Sequence, residues 1–393
     1  MNNSTAPQYK LPAEAYYEDS WLLQEKLKLF GASWLYAGQA NELSEHGSYK
    51  TVKIGLDELV IVRDKQGQLN AFHNVCRHRG AQLVQGTGNC GTLVCPYHKW
   101  TYGLDGNLRG VAKKDQFIDI DTANLGLHKA SLATWMGLIF VHSDENPRET
   151  LTQWLGSIGT ELESFGADKL ELLKTDSICF EANWKFYIEN HIDWLHLWFV
   201  HAETLDALDH EKGQFEQLGR HWISYEPAKA EYADAYKTSS PLPDIPHVKK
   251  AAEHYSDNGA HFIFPNLPIF TGTSFFAIAE LIPLTAERTE MKVNLLGVPG
   301  GDTDAFFEIF NAITKDEDAK IIENIQRNVR DKHFSIGPLA HTYEKAIADF
   351  HRALKIHHHA ACQPTKRSDI ERLRQQVECN VLAIDRRHRE AAA

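Results

Sequence analysis

The chain has 393 residues, of which 43% are hydrophobic and 24% charged, and it carries a formal net charge of −12. That length allows roughly two or three domains with a large core, and the acidic balance excludes a nucleic-acid binder, which needs a basic footprint for phosphates. No apolar run reaches the length of a membrane span, Met1-Asn2-Asn3-Ser4 lacks a basic stretch followed by an apolar one, and six cysteines in so long a chain argue against a disulfide framework. A cytoplasmic protein is expected, without nucleic-acid or membrane partners.

Between Glu18 and Phe30, Leu23, Leu27 and Phe30 fall at i, i+4 and i+7, and Gly31 follows, so the spacing predicts an opening helix that stops there. The period then changes. Residues 59–62, a turn at 64–67 and residues 69–72 read as a hairpin that delivers the chain to Cys76. A small all-β module is expected over 38–146, closing on a strand at 136–141, and Glu145-Asn146-Pro147-Arg148 reads as the linker because Pro and Asn cluster where the strand pattern stops. Residues 1–37 are expected as a helical segment packing on the larger domain, 147–393, which mixes helix and strand. Its helical periodicity covers 151–165, 184–197, 316–329 and 343–354, and its strand-like runs are 261–264, 274–281 and 290–298. Residues 231–250, with Pro241, Pro243 and Pro246, read as a loop or lid, and 370–384 as a last amphipathic helix.

Inside the β module, Cys76, His78, Cys95 and His98 spell C-x-H and, after sixteen intervening residues, C-x-x-H. Two thiolates and two imidazoles from two short loops suit a [2Fe–2S] cluster with sulfur on one iron and nitrogen on the other. They also suit a closed tetrahedral zinc site, and spacing alone leaves the two close to even. The surrounding text separates them: Cys76-Arg77-His78-Arg79-Gly80 and Cys95-Pro96-Tyr97-His98-Lys99-Trp100-Thr101-Tyr102 resemble the two cluster-binding loops of Rieske proteins. Cys90 breaks the mirrored Cys/His order and reads as a spare thiol, as do Cys179, Cys362 and Cys379. The run 86–91 around Cys90 matches G-x-G-x-x-G, but it leads into the strand-like Thr92-Leu93-Val94 rather than a helix, which excludes a dinucleotide fingerprint.

Further on, Asp193, His196 and His201 form D-x-x-H-x-x-x-x-H. Asp193 and His196 are expected on one helix face, where a carboxylate can orient an imidazole. His201 lies about 140° round an ideal helix from His196, so the helix must end or distort before it if both rings are to meet one metal. Two histidines and a carboxylate make the facial triad of non-haem Fe(II) oxygenases. Taken alone, these histidines read as satisfied core residues, and a di-iron site would need a second carboxylate-x-x-His pair that is not evident.

Over most of residues 15–350 the chain resembles the catalytic α subunit of the Rieske non-haem iron oxygenases, the ring-hydroxylating oxygenase superfamily. The likeness rests on both Rieske loops, on Asn183-Trp184-Lys185, Glu189-Asn190 and the Asp193/His196/His201 pattern, and on Phe264-Pro265-Asn266-Leu267, which is similar to a strand motif of the catalytic domain. It implies an α+β fold in which a small all-β Rieske domain is inserted near the N-terminus of a helix-grip (Bet v1-like/SRPBCC) catalytic domain with an antiparallel sheet and long helices. It implies a Rieske [2Fe–2S] cluster on Cys76, His78, Cys95 and His98, and a mononuclear Fe(II) on His196, His201 and a late carboxylate. By pattern that carboxylate is Asp318, with Asp316 and Glu317 as close rivals.

The activity implied is that of a terminal oxygenase. O2 would be co-substrate, and electrons from NADH or NADPH would come from a flavin/iron–sulfur reductase, directly or through a ferredoxin. The product would be a hydroxylated compound, a cis-diol or a demethylated product of a small aromatic compound or quaternary amine. In the family, electrons cross between subunits of a homotrimer. Carried over, His98 of one subunit would hydrogen-bond Asp193 of the next, making Asp193 a bridge to His196 and not an iron ligand. Asn190 precedes Asp193 by three residues, a spacing nearer to members acting on quaternary amines, although those commonly have Glu at the bridge. Asn190, Trp198, Phe199, Phe264 and Phe270, with Trp194 and Phe262, are the expected pocket residues, as an aromatic cage or a flat slot. The other reading is an electron-transfer protein whose second domain only binds a partner or ligand. His357-His358-His359 point about 100° apart on a helix and cannot converge on one ion.

Overall fold

The computed structural model describes residues 10–163, 165–232, 258–272, 275–298 and 303–359. Cys362, Cys379, the expected helix at 370–384 and most of the expected loop at 231–250 lie outside them. The described chain forms two compact units, Glu25–Trp154 and a second made of the chain before it and after it.

In the unit Glu25–Trp154, alternating sequence gives the meander β2 (Ser48–Ile54), β3 (Asp57–Arg63) and β4 (Leu69–His73). The turn between β3 and β4 is an Asx turn in which Asp64 Oδ1 accepts the N–H groups of Gln66 and Gln68. Four more strands, β1 (Leu35–Gln39), β5 (Thr87–Asn89), β9 (Lys129–Trp135) and β10 (Leu138–His142), complete a seven-stranded sheet ordered β1-β10-β9-β4-β3-β2-β5. Because β1 pairs with β10, the chain enters this sheet ahead of residue 38. The strand expected at 136–141 starts at Leu138 instead: Met136 (φ 49°) and Gly137 (φ 73°) are both left-handed and form the two-residue turn from β9. A small sheet of β6 (Leu93–Val94), β7 (Thr101–Tyr102) and β8 (Leu108–Gly110) closes the core. Val60, Phe72, Leu93, Trp100 and Tyr102 are buried there together with Cys76 and Cys95.

The second unit is built on an antiparallel seven-stranded sheet ordered β11-β17-β16-β15-β14-β13-β12. Its strands are β11 (Glu171–Phe180), β12 (Gln214–Leu218), β13 (His221–Glu226), β14 (Asn258–Ile263), β15 (Leu267–Thr271), β16 (Phe275–Thr285) and β17 (Arg288–Gly297). Of Phe264-Pro265-Asn266-Leu267, only Leu267 lies in a strand, as the first residue of β15. Ile263 pairs with Leu267, so the motif is the tight turn between β14 and β15, braced on β16 by Asn266 Nδ2 donating to the Leu281 carbonyl (2.8 Å).

Three expected helices are interrupted. The opening one is helical at α1 (Asp19–Gln24) and widens into a π-helical turn at Glu25–Leu29. The one expected at 151–165 is split by Gly156 (φ 54°) into α2 (Leu151–Leu155) and α3 (Ser157–Glu163). The one expected at 184–197 becomes α4 (Trp184–His191) and a separate short α5 (Leu197–Val200). Then follow α6 (Thr303–Asn311), a π-helical turn at Ala312–Asp318, α7 (Ala319–Asn328) and α8 (Lys345–His359). Phe350 of α8 meets the rings of Trp184, Phe262 and Phe264 edge-on, which docks α8 beside α4 and the β14–β15 turn.

Asn183 sets where α4 begins. Its side chain accepts the Lys185 N–H (3.1 Å), its Nδ2 donates to the Ala286 carbonyl (2.6 Å), and its own N–H donates to Gln326 of α7 (2.9 Å). Gln326 also donates to the Tyr16 carbonyl (3.3 Å) and to Glu287 (3.0 Å), so one buried pair ties α4, α7, the N-terminal segment and the β16–β17 turn. Asn183→Ala removes a cap and leaves a buried carbonyl unpaired, and is expected to destabilise this unit by about 1–3 kcal/mol. Urea unfolding followed by tryptophan fluorescence measures it, and an unshifted midpoint would remove Asn183 from that role.

Candidate metal centres

The first candidate centre lies on two loops with the same backbone hydrogen bonds. Cys76 N–H donates to the Ala81 carbonyl and Cys95 N–H to that of Trp100, both at 2.8 Å; Gly80 N–H returns to Cys76 O (2.9 Å) and Lys99 N–H to Cys95 O (3.1 Å). The fourth residue after each cysteine is left-handed, Gly80 at φ 73° and Lys99 at φ 56°. These matched turns aim the side chains of the loops at one another, with the rings of His78 and His98 4.6 Å apart.

Cys76 and Cys95 are buried free thiols. Nδ1 of His78 and Nδ1 of His98 are buried with no hydrogen-bond partner among the described residues, an arrangement that fits atoms reserved for a metal group. Burial raises the Cys76 thiol above its ordinary value, and a hydrogen bond from Tyr102 works against that rise. Burial also lowers His78, with the charges of His98 and Arg79 adding to the effect, which keeps the imidazole in the neutral form a metal needs. Tyr102 Oη accepts the Arg77 N–H (3.0 Å) and sits 3.3 Å from Cys76 Sγ, so its own proton can go to sulfur. Trp100 stacks on His78 (4.9 Å) and Tyr97 lies over His98 (3.7 Å). Cys90 packs at the margin of this core as a free thiol.

The second candidate centre begins where α4 stops. Ile192 and Asp193 N–H still close on Ile188 O (3.0 Å) and Asn190 O (3.2 Å), and beyond them the chain bonds outside the helix: Asp193 Oδ1 accepts the Leu195 N–H (2.7 Å), Trp194 N–H donates to Tyr343 O (3.0 Å), and its indole donates to His210 O (3.2 Å). Asp193 and His196 therefore do not share a helix face as expected. A turn folds the carboxylate back instead, leaving Asp193 Oδ2 3.4 Å from His196 Nδ1. His196 and His201 flank α5 as its two caps, and their Nε2 atoms meet at 3.2 Å.

Asp318 comes to them from the end of the π-helical turn. It is 4% exposed, with Oδ1 3.1 Å from His201 Nε2 and 3.8 Å from His196 Nε2. One ligand atom from each of the three residues lies within 4.8 Å of the others, a set that fits a divalent ion. Of its rivals, Asp316 is exposed, and Glu317 lies on the opposite side of the same ring, with Oε2 2.6 Å from His201 Nδ1. Burial opposes charge on His201, but the carboxylates of Asp318 and Glu317 outweigh it and raise the ring's pKa. Asn190 Nδ2 donates to Asp318 Oδ1 (3.2 Å).

The expected pocket residues scatter. Phe270 is half-buried, edge-on to His191 (5.1 Å) and Phe310 (5.4 Å). Trp198 meets His210 and Tyr343, Trp194 is buried against Phe215, Phe262 and Phe264 are core, and Phe199 is 76% exposed. His191 has no spacing signal in the sequence. Its Nε2 lies 2.8 Å from the His261 carbonyl, and burial pushes its pKa down to about 4, against the opposing influence of that carbonyl and of Asp318.

A buried Cys2His2 pair of loops in a small β unit, and a two-histidine, one-carboxylate set in an α+β unit, define an iron–sulfur oxygenase with two metal centres. Residues 160–357 match the ring hydroxylating alpha subunit (catalytic domain) family and residues 33–129 the Rieske [2Fe-2S] domain family. The chain belongs to the ring-hydroxylating alpha subunits, the Rieske non-haem iron oxygenases. It is 28% identical over 392 residues to the glycine betaine monooxygenase oxygenase subunit of Pseudomonas aeruginosa (strain UCBPP-PA14), covering 89% of each chain. With the chloroplastic choline monooxygenase of Beta vulgaris it shares 27% identity, covering 86% of this chain and 75% of that one. Its fold matches the quaternary ammonium Rieske monooxygenase CntA in complex with L-carnitine with a TM-score of 0.72 at 22% identity, covering 88% of this chain and 95% of that one.

It is thus a terminal oxygenase that uses O2 and electrons from an NAD(P)H-dependent reductase to hydroxylate a small organic substrate. No helix among the described residues is long and apolar enough to cross a membrane. A hydrogen bond to a cluster thiolate stabilises the reduced state. Tyr102→Phe is therefore expected to keep the cluster and lower its reduction potential by on the order of 60 mV, the equivalent of about 1.4 kcal/mol. Redox titration of the visible spectrum checks this, and an unchanged potential would mean that the hydroxyl does not bond the sulfur.

Proposed function

We propose that this oxygenase hydroxylates a quaternary ammonium compound at a carbon beside nitrogen, releasing a demethylated product where that carbon is a methyl group, and that it works as a cytoplasmic homotrimer. Cys76, His78, Cys95 and His98 would hold the cluster, and His196, His201 and Asp318 the mononuclear iron. When bound, the cluster supplies electrons singly, and the iron, with coordination positions open, supplies O2 activation.

The substrate class is carried by the relatives named for glycine betaine and choline, and Phe270 and His191, packed edge to face at 5.1 Å, would form an aromatic wall for it. A quaternary ammonium group has no N–H to donate, so it is recognised by π faces and by the absence of competing cations. Burial keeps His191 neutral, Nε2–H can donate to the His261 carbonyl, and the ring packs against Phe270, so His191 would set no positive charge against a cationic substrate. The Asn190-to-Asp193 spacing points the same way.

Asn190 keeps Asp318 turned toward the histidines through its amide. Asp193 uses one oxygen to cap its own turn and presents the other to His196 Nδ1, which leaves it able to accept a further hydrogen bond, from His98 of a second copy. Phe199, exposed beside that turn, and Tyr97, 57% exposed beside His98, are apolar surfaces that a second copy would cover. A quaternary ammonium Rieske monooxygenase whose structure is described in terms of inter-subunit electron transfer supports this assembly, and a reductase, directly or through a ferredoxin, would complete the chain of electron carriers.

Iron analysis is expected to give about three irons per chain, whereas two would leave only an electron-transfer protein. Asp193→Asn is expected to retain both metals and abolish turnover, and near-normal activity of that variant would refute the bridge. With a surrogate reductase, quaternary amines should stimulate NADH and O2 consumption and aromatic acids should not. Phe270→Ala should raise KM for the amine about 10-fold, the loss of one desolvated cation–π contact. Stimulation by aromatic acids alone would overturn the substrate class.

A further inference from the structure

We propose that Glu317 is the positioning residue for His201 and sets how tightly the mononuclear iron is held, a role separate from that of Asp193. The inference rests on the reading that His196, His201 and Asp318 hold that iron.

Each of the two histidines has a carboxylate on its Nδ1 side, but the two contacts are unequal. Glu317 Oε2 is 2.6 Å from His201 Nδ1, a short charge-assisted hydrogen bond. Asp193 Oδ2 is 3.4 Å from His196 Nδ1, and that nitrogen has no hydrogen-bond partner among the described residues. The second oxygen of Glu317 is also engaged, accepting from the Thr204 hydroxyl. Thr204 lies in the turn after α5, in which the Leu205 N–H donates to His201 O (3.0 Å), so Glu317 clamps the ring and the turn that carries it.

Glu317 and Asp318 thus grip opposite edges of one imidazole, although they are neighbours in sequence. The π-helical turn that ends at Asp318 sends one carboxylate to Nε2 and the other to Nδ1. With Glu317 accepting, the proton of His201 sits on Nδ1, and the Nε2 lone pair faces Asp318 and His196, which is the tautomer a metal requires. Both Glu317 oxygens are used on the far side of the ring, which removes Glu317 from the list of iron ligands left open by the sequence.

The test compares wild type, Glu317→Ala, Glu317→Gln, Thr204→Val and Asp193→Asn, with the cluster's visible absorption as the control for folding. Mononuclear iron content and its rate of loss to an Fe(II) chelator are the readouts. Glu317→Ala is expected to lose this iron about 10–100-fold faster than wild type, the usual effect of removing a partner behind a metal-bound histidine. Glu317→Gln should stay within a few-fold of wild type, because its amide oxygen can accept the same Nδ1–H and its NH2 can donate to Thr204. Thr204→Val should fall between the two, and Asp193→Asn should release iron at the wild-type rate. Wild-type retention in Glu317→Ala, or a loss in Glu317→Gln as complete as in Glu317→Ala, overturns the proposal. Wild-type protein with two irons per chain would instead overturn the iron site itself, and this inference with it.

Discussion

Asp318 is buried between two imidazoles, with a second carboxylate gripping one of those rings from behind. Taking ionised groups out of water costs several kcal/mol per ion unless opposite charge and hydrogen bonds offset it. The local structure of this unit is arranged around that cluster. Asn190 bonds Asp318, Thr204 bonds Glu317, and the broken backbone at 192–196 finds acceptors at its own Asp193 and on Tyr343. A helix interruption that left its N–H groups unpaired would be too costly to keep. Here the N–H groups of Ile192, Asp193, Trp194 and Leu195 all have acceptors, and the interruption turns both Nε2 atoms toward Asp318.

The two metal centres differ in how far the chain must travel to make them. The Rieske loops are each a closed turn within a few residues, fixed by backbone bonds that do not depend on the rest of the protein. The cluster of His196, His201, Glu317 and Asp318 joins side chains 116 or more residues apart, and their meeting depends on how α4 and α7 are held. The buried pair Asn183 and Gln326 does much of that holding. Because this arrangement exists only in the folded unit, metal affinity there would be linked to folding.

This difference also governs what could be read from the sequence. The two loops that bring Cys76, His78, Cys95 and His98 together were legible because each is local, and the hairpin of β3 and β4 was legible from alternation and its Asp64 turn. The break after His191 was not, since nothing in 189–201 is Gly or Pro, and the stop is imposed by tertiary contacts with Tyr343 and His210. Choosing among Asp316, Glu317 and Asp318 was ambiguous because helical periodicity assumes about 100° per residue, and a π-helical turn changes that register without leaving a composition signal. Met136 is left-handed with no residue-type cue, which shifted the start of β10, and Phe264-Pro265-Asn266-Leu267 looks apolar enough for a strand although it forms a turn. The aromatic residues were over-read for the usual reason: most aromatic side chains are core, and only packing separates Phe270 from Phe264.

Charge connects the second carboxylate to the proposed substrate. A divalent iron held by one carboxylate and two neutral imidazoles carries a net charge of +1, and a quaternary ammonium brought beside it in a low-dielectric pocket would be repelled. Glu317, bonded to His201 and partly shielded from solvent, brings the sum of its charge, that of Asp318 and that of the ion to zero. His191 adds nothing to the balance because burial keeps it neutral. On this reading Glu317, together with the Asp193 carboxylate 3.4 Å from His196 Nδ1, would offset the ion's charge for a cationic substrate. On the proposed function, that charge balance would favour a cationic substrate over a neutral ring.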